Sequence, residues 1–351
     1  MKQQIINKLS KFSIIGMGEN SHFVNYPTKY RLELFKQLCY QSNFNIICLE
    51  TDIFYASIIN AYIHSLISSD PEILVENLFH IWRTPLFIKF IKWAREYNWQ
   101  VPDSRKIYFI GFDSQNPFIF RKNKILHSTI KKNVFKYYSK IFNVDSKHIT
   151  ELFSLYNTNY ETTYGDTKLY DKYREKISFL IFMQHYKYIL PTNKKMVIFA
   201  HQAHLSKIKS NSFPYGPFGY YIYEHFKNKF YSIAMDILTG KLACKKVLKG
   251  INISYGIKLL KKEEVALIDN NYNYSHECDN SLDEYIINPL KYHDAVLVFS
   301  YDKPITTNLT KLHNSILKKV KKYFKNNEFY ILDFYKKYKV DIPNKYINLL
   351  N

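Results

Sequence analysis

The sequence predicts an α/β fold: a largely parallel central sheet flanked by helices, with an inserted helical subdomain covering the carboxyl edge of the sheet. Three observations carry that prediction. Short apolar runs recur that are continuous rather than alternating, the pattern of strands buried on both faces. Segments of helical length separate them, as the crossovers of a parallel sheet require. One long stretch, Ile119 to Leu190, shows helical periodicity and few strand signals.

In chain order, the strand candidates are Ser13 to Met17, Ile46 to Leu49, Ile107 to Gly111 and Met196 to Ala200. They are followed by Phe230 to Ile237, Val265 to Ile268, Ala295 to Ser300 and Phe329 to Leu332. Thr28 to Tyr40 reads as a helix between the first two, and a longer helical region from Phe54 to Asn98 leads to the third. The inserted segment 119–190 contains the helical pattern Leu169 to Leu190 and stops at Pro191, which cannot continue a helix. Placed after a strand end, it is expected to lie lid-like over the edge where α/β proteins bind ligands. With no internal repeat or low-complexity linker, residues 1–351 are expected to form one body carrying this subdomain.

Composition sets the bounds. At 351 residues, 46% hydrophobic and 23% charged, the chain has the profile of a folded globular protein with a sizeable core. Its net charge of +20 would draw acidic partners, but it also matches a Lys-, Asn- and Ile-rich composition with dispersed lysines, and the second reading is favoured. The densest basic run, Lys318 to Lys325, is interrupted by Val320, Tyr323 and Phe324 at spacings that suit an amphipathic helix. No nucleic-acid motif accompanies it, so nucleic acid is not an expected partner. Cys39, Cys48, Cys244 and Cys278 form no metal-ligand spacing and read as free thiols. No signal-peptide pattern and no run near the ~18 apolar residues of a membrane span is present, so a cytoplasmic location is expected.

Chemistry-bearing residues gather at predicted strand ends. Gly16-Met17-Gly18-Glu19-Asn20-Ser21-His22 follows the first strand, and its glycines are expected to turn the backbone beside a ligand. If the chain enters a helical turn there, Glu19 and His22 share one face, and the carboxylate can orient the imidazole. The bland alternative is a capping Glu and an incidental His. Ala200-His201-Gln202-Ala203-His204 follows another strand, and ends of neighbouring parallel strands converge in space. The less favoured alternative for His201 is a core histidine satisfied by backbone. Glu50 follows a third strand and is either functional or a helix cap, while Asp113 follows a fourth and also fits turn chemistry. Arg31 lies in the first helix and could face solvent, reach a substrate oxygen or pair with Glu50.

Together these blocks resemble the erythromycin esterase family. Gly18-Glu19-Asn20-Ser21-His22-Phe23 with Arg31 looks like the family's opening signature. Leu49-Glu50, Trp93-Ala94-Arg95-Glu96-Tyr97-Asn98, Gly111-Phe112-Asp113 and Ala200-His201-Gln202-Ala203-His204 look like its later blocks, in order. The likeness runs from Ile14 to Gly240, with a weaker stretch from Ser281 to Ser300. It implies a metal-independent, cofactor-free hydrolase of an ester or macrolactone. In it His22 is the general base that activates water, Glu19, Glu50 and His201 are catalytic, and Arg31, His204 and Asp113 bind substrate. No G-x-S-x-G elbow points to a serine nucleophile. Around Pro214-Tyr215-Gly216-Pro217-Phe218-Gly219-Tyr220-Tyr221 the chain departs from the family, and its aromatics would reshape any pocket. The implied partner is a small-molecule substrate. The rival readings are a tailoring enzyme of the same fold acting by dehydration, cyclisation or acyl transfer on a substrate held by an acidic carrier protein, a metalloenzyme, and a non-catalytic binding protein.

Overall fold

The structure is a computed structural model and describes residues 2–20, 25–75, 82, 84–113, 135–165, 167–190, 195–237, 265–269 and 289–299. Seven strands form one sheet: β1 Ile14–Glu19, β2 Ile46–Leu49, β3 Tyr108–Gly111, β4 Met196–His201, β5 Phe230–Ile237, β6 Val265–Asp269 and β7 Ala295–Phe299. Their spatial order is β3-β2-β4-β1-β5-β7-β6, and every pairing is parallel except β6 with β7 at one edge. Six parallel strands with helices on both faces make this the α/β fold that the sequence predicts. The expected strand at Phe329 to Leu332 and the basic helix at Lys318 to Lys325 lie outside the described residues.

Alternate strand residues feed two separate cores, which is why the runs carry no polar alternation. On one face Ile15, Met17, Ile47, Leu49, Val197 and Phe199 pack against α1 Lys2–Leu9, α2 Asn25–Ser42, α3 Ile53–Ile63 and α5 Pro85–Gln100. On the other, Ile14, Ile46, Cys48, Ile110, Ile198 and Ala200 pack against Phe182, Leu205, Phe218 and Ile222. Complete burial of a side chain such as Phe35 or Phe109 contributes roughly 1.5–3 kcal/mol.

Local chemistry explains where the helices begin and break. Asp52 caps α3 by accepting the Phe54 N–H at 2.7 Å, and Thr84 caps α5 by accepting the Phe87 N–H at 3.1 Å with Pro85 in its first turn. Among the described residues, the helical region expected from about Phe54 to Asn98 holds α3, the short α4 Pro71–Val75 and α5. Just after α3 the chain turns at Ser65, which takes a positive φ of 60° that a continuing helix does not allow.

Strand β3 lies at the sheet's lateral edge, and two buried asparagines close it. Asn60 of α3 accepts from the Phe109 N–H at 2.7 Å and donates to the Phe109 carbonyl, while Asn98 of α5 accepts from the Ile107 N–H at 2.7 Å and donates to its carbonyl at 3.1 Å. Side-chain amides thus replace the missing neighbour strand.

Between β3 and β4 the described chain holds α6 over 135–142, α7 Ser146–Gly165 and α8 Thr167–Gln184, ending in a π-helical turn at His185–Ile189, while residues 119–134 of the expected helical segment lie outside the described residues. Helices α7 and α8 pack against each other. After β4, a 3-10 turn at Gln202–Leu205 precedes α9 Phe218–Phe226.

Two glycines of the first motif do not turn the chain, contrary to expectation. Gly16 and Gly18 lie inside β1, which runs on to Glu19. Gly18 provides clearance: a Cβ there would sit 2.5 Å from the Cα of Gln202. Among the described residues no helix is long and apolar enough to cross a membrane, and Cys39 and Cys48 are buried free thiols.

Candidate active site

Strands β1, β2 and β4 are neighbours, and each delivers an ionisable residue at its carboxyl end. Glu19 is the last residue of β1, so it stands on a strand rather than a helical turn, and it is 2% exposed. Its Oε2 is 2.8 Å from Nη2 of Arg31, which is itself buried. Arg31 does not face solvent, and its ion-pair partner is Glu19 rather than the expected Glu50. The guanidinium lies 4.9 Å from the Trp82 ring centroid and 5.3 Å from that of Phe199, both within cation–π range. Burial lowers the Arg31 pKa, opposed by the charges of Glu19 and Glu50. Among the described residues its Nε and Nη1 have no hydrogen-bond partner. His22 lies outside the described residues.

Glu50 is not a helix cap, since Asp52 takes that place. One oxygen, Oε2, accepts the backbone N–H of His201 at 2.8 Å, and the other lies 3.4 Å from Nε2 of His204 and 4.0 Å from Nη2 of Arg174. Trp82 donates its indole N–H to the Glu50 carbonyl at 3.0 Å, fixing the backbone that carries the carboxylate.

His201 ends β4 beside Glu19, its register partner on β1. Its Nδ1 accepts the Ala203 N–H at 3.3 Å, so the proton sits on Nε2 and is donated to the Asn20 carbonyl at 3.3 Å. The ring therefore caps the 3-10 turn and presents itself as a donor. His204, at the end of the turn's sequence Gln202–Leu205, is held differently: its Nδ1 is 3.0 Å from Glu175 Oε2. Burial pushes its pKa down, but Glu175 and Glu50 outweigh burial and hold it at about 9.

Asp113, after β3, continues the ladder by donating its N–H to the Thr51 carbonyl, and its carboxylate is gripped by Arg174 at 3.2 and 2.6 Å. This bidentate contact occupies a side chain expected to meet substrate.

Sequence reasoning missed three residues of this cluster. Arg174 and Glu175 sit on α8, where an Arg-Glu doublet has the same appearance as any solvated helix face. The Glu175 carboxyl is nonetheless buried. Burial raises its pKa, but His204, Arg174 and the Phe218 N–H reverse that and hold it low. Asp236, near the end of β5, takes the Asn20 side-chain N–H at 2.6 Å. The signal for Asp236 was available, because it is one more carboxylate near the end of an apolar strand.

Residues 40–178 match the erythromycin esterase family. The matched segment is erythromycin esterase-like. That match contains Glu50, Asp113, Arg174 and Glu175 and stops short of Glu19, Arg31, His201 and His204. No curated protein matches the chain. Among solved structures, the chain is similar to a Bacillus cereus protein, with a TM-score of 0.64, 16% identity, and coverage of 86% of this chain and 91% of that one. It is also similar to a succinoglycan biosynthesis protein, with a TM-score of 0.63, 16% identity, and the same 86% and 91% coverage. A mutant erythromycin esterase in its open conformation aligns with a TM-score of 0.53 at 14% identity, over 86% of this chain and 93% of that one. At these identities the likeness is one of fold.

Proposed function

We propose that the protein hydrolyses an ester or lactone, with His22 as the general base that takes a proton from water and Glu19 beside it. The observation that carries this reading is the setting of Glu19. It is buried at the end of β1, clamped by Arg31 at 2.8 Å, and three residues before His22. A carboxylate fixed in this way is suited to orient a nearby imidazole as a base. Among the described residues Nε and Nη1 of Arg31 have no hydrogen-bond partner, which suits an oxyanion developing on the substrate carbonyl. Glu50 braces the other side, and Arg174 and Glu175 make the inserted helical segment part of the site as well as a cover for it. The resemblance assigns the reaction no metal and no cofactor.

Hydrolysis is tested with 4-nitrophenyl esters and macrolactones in ¹⁸O-labelled water. One labelled oxygen in the product acid is expected, and His22→Ala should lower turnover by about 10²–10⁴-fold. Turnover without label would reject hydrolysis in favour of acyl transfer, dehydration or cyclisation. That second reading draws on the succinoglycan biosynthesis protein of the same fold. Undiminished biological activity of His22→Ala would favour a binding protein over any enzyme.

A further inference from the structure

Ester hydrolysis removes a proton from water and must also deliver one to the departing oxygen. We propose that His204 is the general acid that delivers it, and that Glu175 on α8 is the positioning residue that keeps His204 in that role. The acid role rests on the hydrolase reading; the pairing of the two side chains does not.

The geometry divides the two ring nitrogens between two tasks. Nδ1 faces Glu175 Oε2 at 3.0 Å, and the same oxygen accepts the Phe218 N–H at 2.8 Å, so the carboxylate is fixed from α8 and from the first residue of α9. With Nδ1 committed, Nε2 is the nitrogen left to meet a ligand. It lies 3.4 Å from Glu50 Oε1, longer than the 3.0 Å contact at Nδ1, and the side chain keeps 11% of its surface exposed. A substrate oxygen can therefore compete for the Nε2 proton.

The charges around the ring favour the protonated form. Glu175 from α8 and Glu50 from the end of β2 attract a proton to it; Arg174 from α8 opposes them at a distance, and His201 stands with its ring centroid 6.5 Å away. Both carboxylates act on a ring that burial alone would neutralise, and the ring remains charged through neutral pH. A charged imidazolium has no lone pair to accept a proton from water, so His204 cannot share the base role assigned to His22. It has a proton to give.

The steps balance. Water adds to the carbonyl carbon while His22 takes one of its protons, and the carbonyl electron pair moves onto oxygen. Collapse restores the carbonyl and breaks the bond to the leaving oxygen, which takes the Nε2 proton of His204 and departs as an alcohol. The product acid ionises, His22 releases its proton, and His204 regains one, leaving a net release of one proton per bond cleaved.

A good leaving group separates this role from a structural one, because 4-nitrophenolate departs without protonation and an alkoxide does not. Two measurements test it: the NMR titration of ¹⁵N-labelled histidine, and the cleavage rates of ethyl butyrate and 4-nitrophenyl butyrate. In Glu175→Gln the His204 midpoint should fall from about 9 to below about 7. Cleavage of the ethyl ester should drop by about 10²-fold or more, while the 4-nitrophenyl ester changes by less than about threefold. Glu175→Asp should recover part of both effects. An unmoved midpoint, or equal losses on the two esters, would overturn the proposal. If the wild type cleaves neither ester while its midpoint lies near 9, the hydrolase reading fails and the Glu175–His204 pairing stands.

Discussion

Two buried polar regions interrupt the apolar sheet, and they are built on opposite rules. At the lateral edge of β3, the amides of Asn60 and Asn98 have oxygen and nitrogen both engaged with backbone. At the carboxyl edge of β1, β2 and β4, ion pairs are numerous, yet Arg31 Nε and Nη1, Asn20 Oδ1, Thr51 Oγ1 and Gln202 Oε1 have no hydrogen-bond partner among the described residues. A buried polar group left unfilled costs about 1–3 kcal/mol, so the two regions bear on stability differently.

The largest expected effect comes from breaking the charged region. Arg31→Met removes the cation paired with the buried Glu19 carboxylate and should lower stability by about 3–5 kcal/mol in urea unfolding. Adding Glu19→Gln should restore much of the loss; no recovery would mean that Arg31 acts by packing against Trp82 and Phe199 alone. At the neutral region, Asn60→Ala leaves the Phe109 N–H and carbonyl without their partner and should cost about 2–3 kcal/mol. The amide of Phe109 should then exchange with solvent faster, while turnover per folded molecule stays unchanged.

The two regions should also differ in their response to pH. Folding raises the His204 pKa to about 9 from an unfolded value near 6.5, so the native state holds an extra proton between those values. Its contribution to stability is complete below pH 6.5 and is lost as pH rises through 9. His204→Gln should remove that slope, whereas Asn60→Ala should leave it intact. The smallest change calibrates the others: Thr84→Ala deletes an ordinary cap on α5 and should cost about 1 kcal/mol, read as a modest fall in Tm.

This contrast also explains what the sequence could and could not show. The strands are legible because burial on both faces removes polar residues from every position, as in Ile46–Leu49 and Ala295–Phe299. Glu50 and His201 are legible because polar residues following such runs stand out. Arg174 and Glu175 are not, since a charged doublet is ordinary on a helix and only the tertiary placement of α8 buries the Glu175 carboxyl. The block Trp93 to Asn98 looks like part of the family's signature, yet Asn98 serves the edge of β3, so a motif can be conspicuous in sequence and purely architectural in space. Gly18 reads as a hinge and is instead the gap that admits Gln202, a distinction that composition cannot make.

The aromatic turn from Pro214 to Pro217 hangs between two fixed points. Before it, the Phe213 ring lies 5.7 Å from that of His204. After it, Phe218 is held by Glu175 and stacked on Phe112 with ring centroids 4.2 Å apart, and Gly219 fits against Leu205 where a Cβ would not. Tyr215, half-exposed between these anchors, accepts the Tyr221 hydroxyl at its carbonyl at 2.8 Å. Both ends of the turn are therefore tied to one ion pair, since Phe213 meets the His204 ring and Phe218 meets the Glu175 carboxylate that holds it.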